Sequence, residues 1–401
     1  MSNILRNLTS NGMRKPTVEE AFDAANLPFV ENCRLAKDTS EFGVIRISNI
    51  PYTIKRSEIM AFLGRNAKMV NETDHEPVHI VMERVTSKTL DCFVEFVNFE
   101  EALATVSRFE ANKIAGRVGR LGQRHVEVDL SSQEELMKQL FPKVKNVTWV
   151  GAKPVIAPRD PNDKYNSGFQ GFVTKEELVM LVKHVEAPNR SPFAKDCPQR
   201  PFECLISTLL KYPWYMVDYI TIEDRNLIHS ATKDLLIMLV ERVNKEYDTI
   251  NLTNMLLQRV IRAAIKCPAF TPVMRDDIVF LGGVSDQLAK EFGVPPFAYE
   301  WCELWCVGPK PGVPHDVLLW YIAIIREETE EPKRELSLAE RAERGTVIEK
   351  DMFFGKLKKY LHYGPGLNKK TLGEMARVEW GALETILRNA LTPGARRLGD
   401  Q

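Results

Sequence analysis

The feature that most limits how this chain can fold is a run of six segments between residues 43 and 130, in which the apolar period switches between two and 3.6. Residues 44–50 alternate as a strand. Residues 57–63 place Ile59, Phe62 and Leu63 on one helical face. Residues 78–83 and 92–97 alternate again. Residues 98–109 read as a helix capped by Asn98, with Glu101 closing a capping box and Phe99, Leu103 and Val106 as the buried stripe. Residues 124–130 alternate once more, with Val126 and Val128 inward. Strand-helix-strand-strand-helix-strand predicts a four-stranded antiparallel sheet with both helices on one face, the split β-α-β arrangement. A further helix, residues 132–141, follows directly.

Alternation also assigns the faces. Ile45, Ile47, Cys92, Val94 and Phe96 fall in the core, whereas Arg46, Ser48, Asp91 and Phe93 fall on the face that the helices leave open. Sheets of this kind that take single-stranded RNA stack bases on rings from the two central strands, because every base has a flat face. The third-strand pattern K/R-G-F/Y-G/A-F-V-x-F/Y is met here only in its second half, by Cys92-Phe93-Val94-Glu95-Phe96. Asp91 holds the first aromatic position. On the first strand, Ile45-Arg46-Ile47-Ser48-Asn49-Ile50 keeps the expected spacing, with Arg46 where the other ring would stand. Phe93 is the one stacking ring left, so the sheet alone is a poor platform.

These departures themselves carry a resemblance. The segments VIRISNIPY, CFVEF and GQRHVEV, with a helix after the last, resemble the quasi-RNA-recognition motifs of the heterogeneous nuclear ribonucleoproteins F and H. The resemblance covers about a quarter of the chain. It implies a ferredoxin-like RNA-recognition-motif (RRM) domain whose sheet rings are missing and whose loops cage guanine-rich single strands. Matched position by position, Tyr52 takes the aromatic place after the first strand, where the family usually has tryptophan. Arg124 and His125 take the Arg-Tyr pair that opens the fourth strand, and Arg84 lies in the loop between strands two and three. Ser48 stands where the family has arginine, and His125 where it has tyrosine; these departures bear on the guanine preference and leave RNA binding as the expectation.

The residues support a loop mode on their own account. From Ala111 to His125 there is no acidic residue, and Lys113, Arg117, Arg120, Arg124 and His125 are interleaved with three glycines. Such a segment offers cations to phosphate on a backbone that can approach closely. Elsewhere charge is balanced: the chain has formal net charge zero, so binding to nucleic acid must come from a local surface. The expected RNA-binding residues are therefore Arg46, Tyr52, Arg84, Phe93, Lys113, Arg117, Arg120, Arg124 and His125. A protein-interaction module, using a degenerate RRM that touches no RNA, is the alternative.

Past residue 173 the apolar period is 3.6 almost throughout, with helices expected around 174–182, 201–209, 221–239, 252–265, 315–326, 346–362 and 370–391. Residues 152–172 are rich in Pro, Gly, Asn and Asp, the composition of a linker. The expected fold is α+β: residues 1–42 a partly disordered lead-in, 43–150 the RRM, 151–172 a linker, 173–391 an all-α domain resembling those of uncharacterised fungal RRM proteins, and 392–401 a tail. The Ile278–Leu281 segment before Gly282-Gly283 looks like a strand-turn. Lys356, Lys358, Lys359, Lys369 and Lys370, interleaved with Phe353, Phe354, Tyr360 and Tyr363, read as an amphipathic helix with a solvated lysine face, with a second nucleic-acid contact as the alternative.

Other classes find little support. No apolar run reaches the ~18 residues of a membrane span, and the acidic residues near the start argue against a secretory signal. Seven scattered cysteines read as reduced and buried. Cys302 and Cys306 with His315 fall short of the four ligands of a zinc site. No acid, base or nucleophile cluster assembles, so neither an enzyme nor a cofactor is expected. The expectation is an intracellular regulator of mRNA processing, in nucleus or cytoplasm, with single-stranded RNA as partner and a possible protein partner on residues 173–391.

Overall fold

A computed structural model describes residues 1–36, 41–158, 161–162, 165, 167–329 and 353–392. Two short helices open the chain, α1 (Asn3–Thr9) and α2 (Val18–Phe22), started by hydroxyls of Ser2 and Thr17 that accept backbone N–H groups. After β1 (Phe29–Glu31) come β2 (Gly43–Ser48), α3 (Arg56–Leu63), β3 (Val78–Met82), β4 (Thr89–Phe96) and α4 (Phe99–Ile114). A small hairpin, β5 (Arg120–Leu121) and β6 (Arg124–His125), precedes β7 (Glu127–Ser131). Strands β3-β4-β2-β7, in that order, form one antiparallel sheet. Helix α5 (Gln133–Leu140) and the hairpin β8 (Val147–Val150) and β9 (Lys153–Ile156) follow.

On one face of the sheet, Ile45, Ile47, Val78, Ile80, Cys92, Val94 and Phe96 pack with Ile59 and Leu63 of α3 and Ala102 and Val106 of α4. Gly43 fixes the phase of α4. A Cβ at Gly43 would lie 2.2 Å from the Asn98 carbonyl oxygen, so only glycine lets the cap of α4 sit this close to β2. With that end pinned, the small Ala102 and then Val106 face the sheet. Phe99 and Leu103, expected in the buried stripe, are exposed instead.

The helical half comprises α6 (Lys175–Glu186), α7 (Arg200–Lys211), α8 (Ile222–Asn244), α9 (Asn254–Ile265), α10 (Pro272–Gly282) and α11 (Asp286–Glu291), then β10 (Val307–Pro309), α12 (His315–Thr329) and α13 (Leu372–Leu391). Capping boxes at Thr174, Thr221 and Thr371 start α6, α8 and α13. Residues 278–282 end helix α10, with Gly283 at φ +60° as its left-handed cap, rather than forming a strand-turn. Residues 353–370 are turns and short 3₁₀ segments, not a helix, because Phe354 and Leu357 plunge into the core with Gly355 at positive φ between them. Residues 346–352 of the helix expected there lie outside the described residues. No helix among the described residues is long and apolar enough to cross a membrane.

Two segments differ from their expected roles. Residues 1–36 are tied to the C-terminal helices: β1 pairs antiparallel with β10, the Tyr321 hydroxyl donates to the Ala21 carbonyl at 2.7 Å, and Leu5, Leu8, Ala21 and Phe29 share a core with α12 and α13. Their apolar residues lack a period because they pack against distant elements rather than along one helix or strand face. The stretch read as a linker is likewise anchored. Trp149 and Phe172 are buried in one aromatic cluster with Phe141 and Tyr212, Trp149 stacked on Phe141 and Phe172 edge-on to Tyr212. That cluster belongs to a continuous core holding Val44, Val81 and Phe93 of the sheet with Leu205 and Leu209 of α7.

Residues 41–151 therefore depend on the helical half for part of their core. Burial of a side chain such as Phe93 or Val81 is worth about 1.5–3 kcal/mol. Expressed alone, residues 41–151 are expected to melt well below the intact chain and to bind a hydrophobic dye; equal melting temperatures and no dye binding would contradict this packing.

Candidate nucleic-acid interface

Helix α7 is the element that decides which surfaces are free. All of its residues except Leu210 are buried. Phe202, Leu205, Ile206 and Leu209 join the main core. Arg200, Glu203, Ser207, Thr208 and Lys211, at helical spacing, form a second, polar stripe. The sheet answers this stripe with polar groups of its own. His79 Nδ1 lies 2.9 Å from Ser207 Oγ, and its Nε2 lies 2.9 Å from Glu95 Oε2. Lys211 Nζ donates to Glu95 Oε1 and to Gln133 Oε1, both at 2.9 Å, and Gln133 Nε2 donates to Glu95. Burial pushes the Glu95 carboxyl up, but the Lys211 charge and the hydrogen bonds from His79 and Gln133 outweigh it. The group is held well below the ordinary carboxylate range.

Two of the expected RNA-binding residues are consumed by this junction. Phe93, read as a stacking ring on an open face, is 1% exposed and sits in the main core under the helical half. Arg84, read as a loop cation, is 3% exposed. It donates to Glu177 Oε1 at 3.2 Å and Thr208 Oγ1 at 2.9 Å, while its carbonyl lies 3.0 Å from His184 Nε2. Alternation placed Phe93 on the right face. The helix that covers that face lies more than 100 residues further along the chain, beyond the reach of any local pattern.

The cover is incomplete toward β2 and β7, and what remains open is acidic. Arg46 stands there, but its guanidinium is held by Asp91 at 2.8 Å, and Asp129 lies opposite it in register on the β7 side. Glu127 and Asp129 are exposed. A phosphate backbone laid across this strip would meet three carboxylates and one committed arginine. Arg46 thus stands on a strip where carboxylates outnumber cations.

Of the remaining expected residues, Arg120, Arg124 and His125 lie on the β5-β6 hairpin, Tyr52 beside Arg124, Arg117 in the loop before the hairpin and Lys113 in the last turn of α4. Leu121 and Val126, both 5% exposed, anchor the β5-β6 hairpin in the sheet core, and Gly122 at φ +55° turns it. Lys113, Arg117, Arg120, Arg124 and His125 are all exposed, and among the described residues no carboxylate pairs with them. Arg124 donates to the Ile50 carbonyl at 3.1 Å and lays its guanidinium 5.2 Å from the centroid of the exposed Tyr52 ring. Asn49 Nδ2 donates to the His125 carbonyl at 2.9 Å, fixing the hairpin to the end of β2. Tyr52 has a neighbour that the sequence did not flag: Phe193, 5.5 Å away between centroids. Its only signal is a ring beside Pro192 in a loop with Arg190 and Lys195.

Other places fit less well. A cleft of about 460 Å³ between the C-terminal ends of α7 and α9 is lined by Trp214, Tyr215, Lys211, Lys266 and Arg275. Lys211 is bound to Glu95 and Lys266 to Asp74, so neither cation is available there. Among the described residues no group of His, Cys, Asp and Glu is arranged to hold a metal ion. Residues 41–151 match the family model described as Domain of unknown function (DUF8400), and residues 169–284 match Domain of unknown function (DUF8399). No curated protein and no solved structure matches the chain.

The buried Glu95–Lys211 pair makes the sheet–helix junction testable. Lys211→Met is expected to destabilise the chain by about 3–5 kcal/mol, because it leaves a buried carboxylate unpaired. A carboxylate with a depressed folded pKa contributes stability above its unfolded pKa, and that contribution is lost as pH falls toward the folded value. The stability gap between wild type and Glu95→Gln should therefore be full at neutral pH and shrink on acidification below about pH 4. Chemical denaturation across pH checks this; a gap independent of pH would contradict the charged pair.

Proposed function

We propose that this chain binds single-stranded RNA through the hairpin edge of a variant RRM, using Tyr52, Lys113, Arg117, Arg120, Arg124 and His125, and not through the sheet face. The observation that carries the reading is the coincidence of exposed Lys113, Arg117, Arg120 and Arg124, which no carboxylate among the described residues pairs with, a glycine-turned backbone and a Tyr52–Arg124 cation–π contact. Cations on a close-approaching backbone position phosphates, and a ring–guanidinium stack offers a flat surface to an unstacked base. The β3-β4-β2-β7 order with two helices on one face supports assigning residues 43–150 to the ferredoxin-like RRM arrangement. The resemblance to the quasi-RRMs suggests a role in mRNA processing, in nucleus or cytoplasm and without catalysis, and the helical half is then a support and a possible protein-docking surface. A second reading has one observation in its favour. The sheet face already binds a helix of the same chain, as it would in a degenerate RRM given over to protein contacts.

Salt separates the two readings. Residues 43–130 carry twelve Lys or Arg against twelve Asp or Glu, so only the local cations contribute. About two to four phosphates neutralised give a log–log salt slope of roughly −1.5 to −3 on a single strand. Arg117→Glu with Arg120→Glu should flatten that slope and weaken all sequences alike, since phosphate contacts do not read bases. Fluorescence anisotropy across a salt series measures both; no binding by the intact chain at low salt would favour the protein-interaction reading.

A further inference from the structure

We propose that the helical half supplies one wall of the base-binding surface through Phe193, so that a single strand is gripped by both halves of the chain at once. This rests on reading the hairpin edge as a nucleic-acid surface, and adds to it a residue from outside the RRM. The loop carrying Phe193 is fastened at both ends to the sheet half. Ser191 Oγ donates to the Thr86 carbonyl at 2.7 Å, and Cys197 Sγ donates to the Tyr52 carbonyl at 3.1 Å. Ala194 between them is buried, which leaves Phe193 half-exposed beside Tyr52.

Tyr52 is itself held from the helical half. Its carbonyl also accepts from Thr89 Oγ1 and from Arg200 Nη2, each at 3.2 Å, and the same Arg200 nitrogen donates to the Ile54 carbonyl at 2.6 Å. Arg200 is wholly buried, so its grip is not loosened by water. The result is a contiguous run in which the Phe193 ring lies 5.5 Å from the Tyr52 ring, tilted 54° to it, and the Arg124 guanidinium carbon lies 5.2 Å from the Tyr52 centroid. Bases stack on such a surface with little regard to sequence, because each presents a π-face and no hydrogen-bond code is read. Exposed Arg190 and Lys195 flank the run on the helical side, with Asp196 as the acid beside them. The chemistry is that of unstacked nucleobases on a charged backbone, and a duplex, whose bases are already stacked, would not compete.

The test uses the full chain and a short single-stranded RNA of mixed sequence. Phe193→Leu keeps the apolar volume and removes the ring. It is expected to weaken binding roughly five- to one-hundred-fold, the range for one lost base–aromatic stack, with an unchanged melting temperature and salt slope. Phe193→Trp should restore wild-type affinity or better. The double variant Tyr52→Leu/Phe193→Leu should lose less than the product of the single losses, because the two rings serve one stack. If the wild type binds and Phe193→Leu binds equally well, the composite wall is overturned while the hairpin-edge reading stands. If the wild type does not bind single-stranded RNA, that underlying reading fails and this proposal with it.

Discussion

The fit of helix α7 into the sheet is the constraint from which the rest of the molecule follows. A helix buried on all sides normally carries apolar residues all round. Helix α7 does so on one side only, and on the other presents Arg200, Glu203, Ser207, Thr208 and Lys211. Buried charges are tolerable only when each finds a partner of fixed geometry. Here the partners are Glu95, His79, Gln133, Thr89 and the carbonyls of residues 52 and 54. Because these bonds are directional, they set the register of helix on sheet more tightly than apolar contact alone would.

Once α7 is seated, the distribution of surfaces is decided. The one ring on the two central strands, Phe93, is sealed, and the uncovered strip toward β2 and β7 is lined by Asp91, Glu127 and Asp129. Cationic character survives at the edge, where the β5-β6 hairpin projects beyond the reach of the helical layer. The same helix, through Arg200, holds the backbone beneath Tyr52, so the element that closes the sheet also organises the edge. Loss of the usual platform and gain of a braced edge are two consequences of one packing event.

Much of the sheet half was legible in the sequence because its signals are local. Alternation at 45–47 and 92–96 sorts core from opposite face as the structure has it, and the capping residue Asn98 marks a real helix start. What stayed hidden is long-range. His79 meets Ser207 across 128 positions, and Arg84 meets Thr208 across 124, and no period or motif announces such pairings. Phe93 and Arg84 were therefore read as free when both are buried. The Pro- and Gly-rich composition of 152–172 outweighed Trp149, Phe169 and Phe172 at its margins, although these rings tie the segment into the core. At the candidate site, Tyr52 and the cations of 113–125 could be found from sequence, whereas Phe193 could not, since its relevance exists only in three dimensions.

The central claim is that nucleic acid is met at the hairpin edge because α7 occupies the sheet face. Ultraviolet crosslinking of the intact chain to 4-thiouridine-substituted single-stranded RNA, with the attached peptides sequenced by mass spectrometry, tests it most directly. Crosslinks on Tyr52 and within residues 117–125, with none on β3 or β4, are the predicted result. Crosslinks concentrated on His79 or Phe93 would show that the helix leaves the sheet to RNA, and would contradict the account.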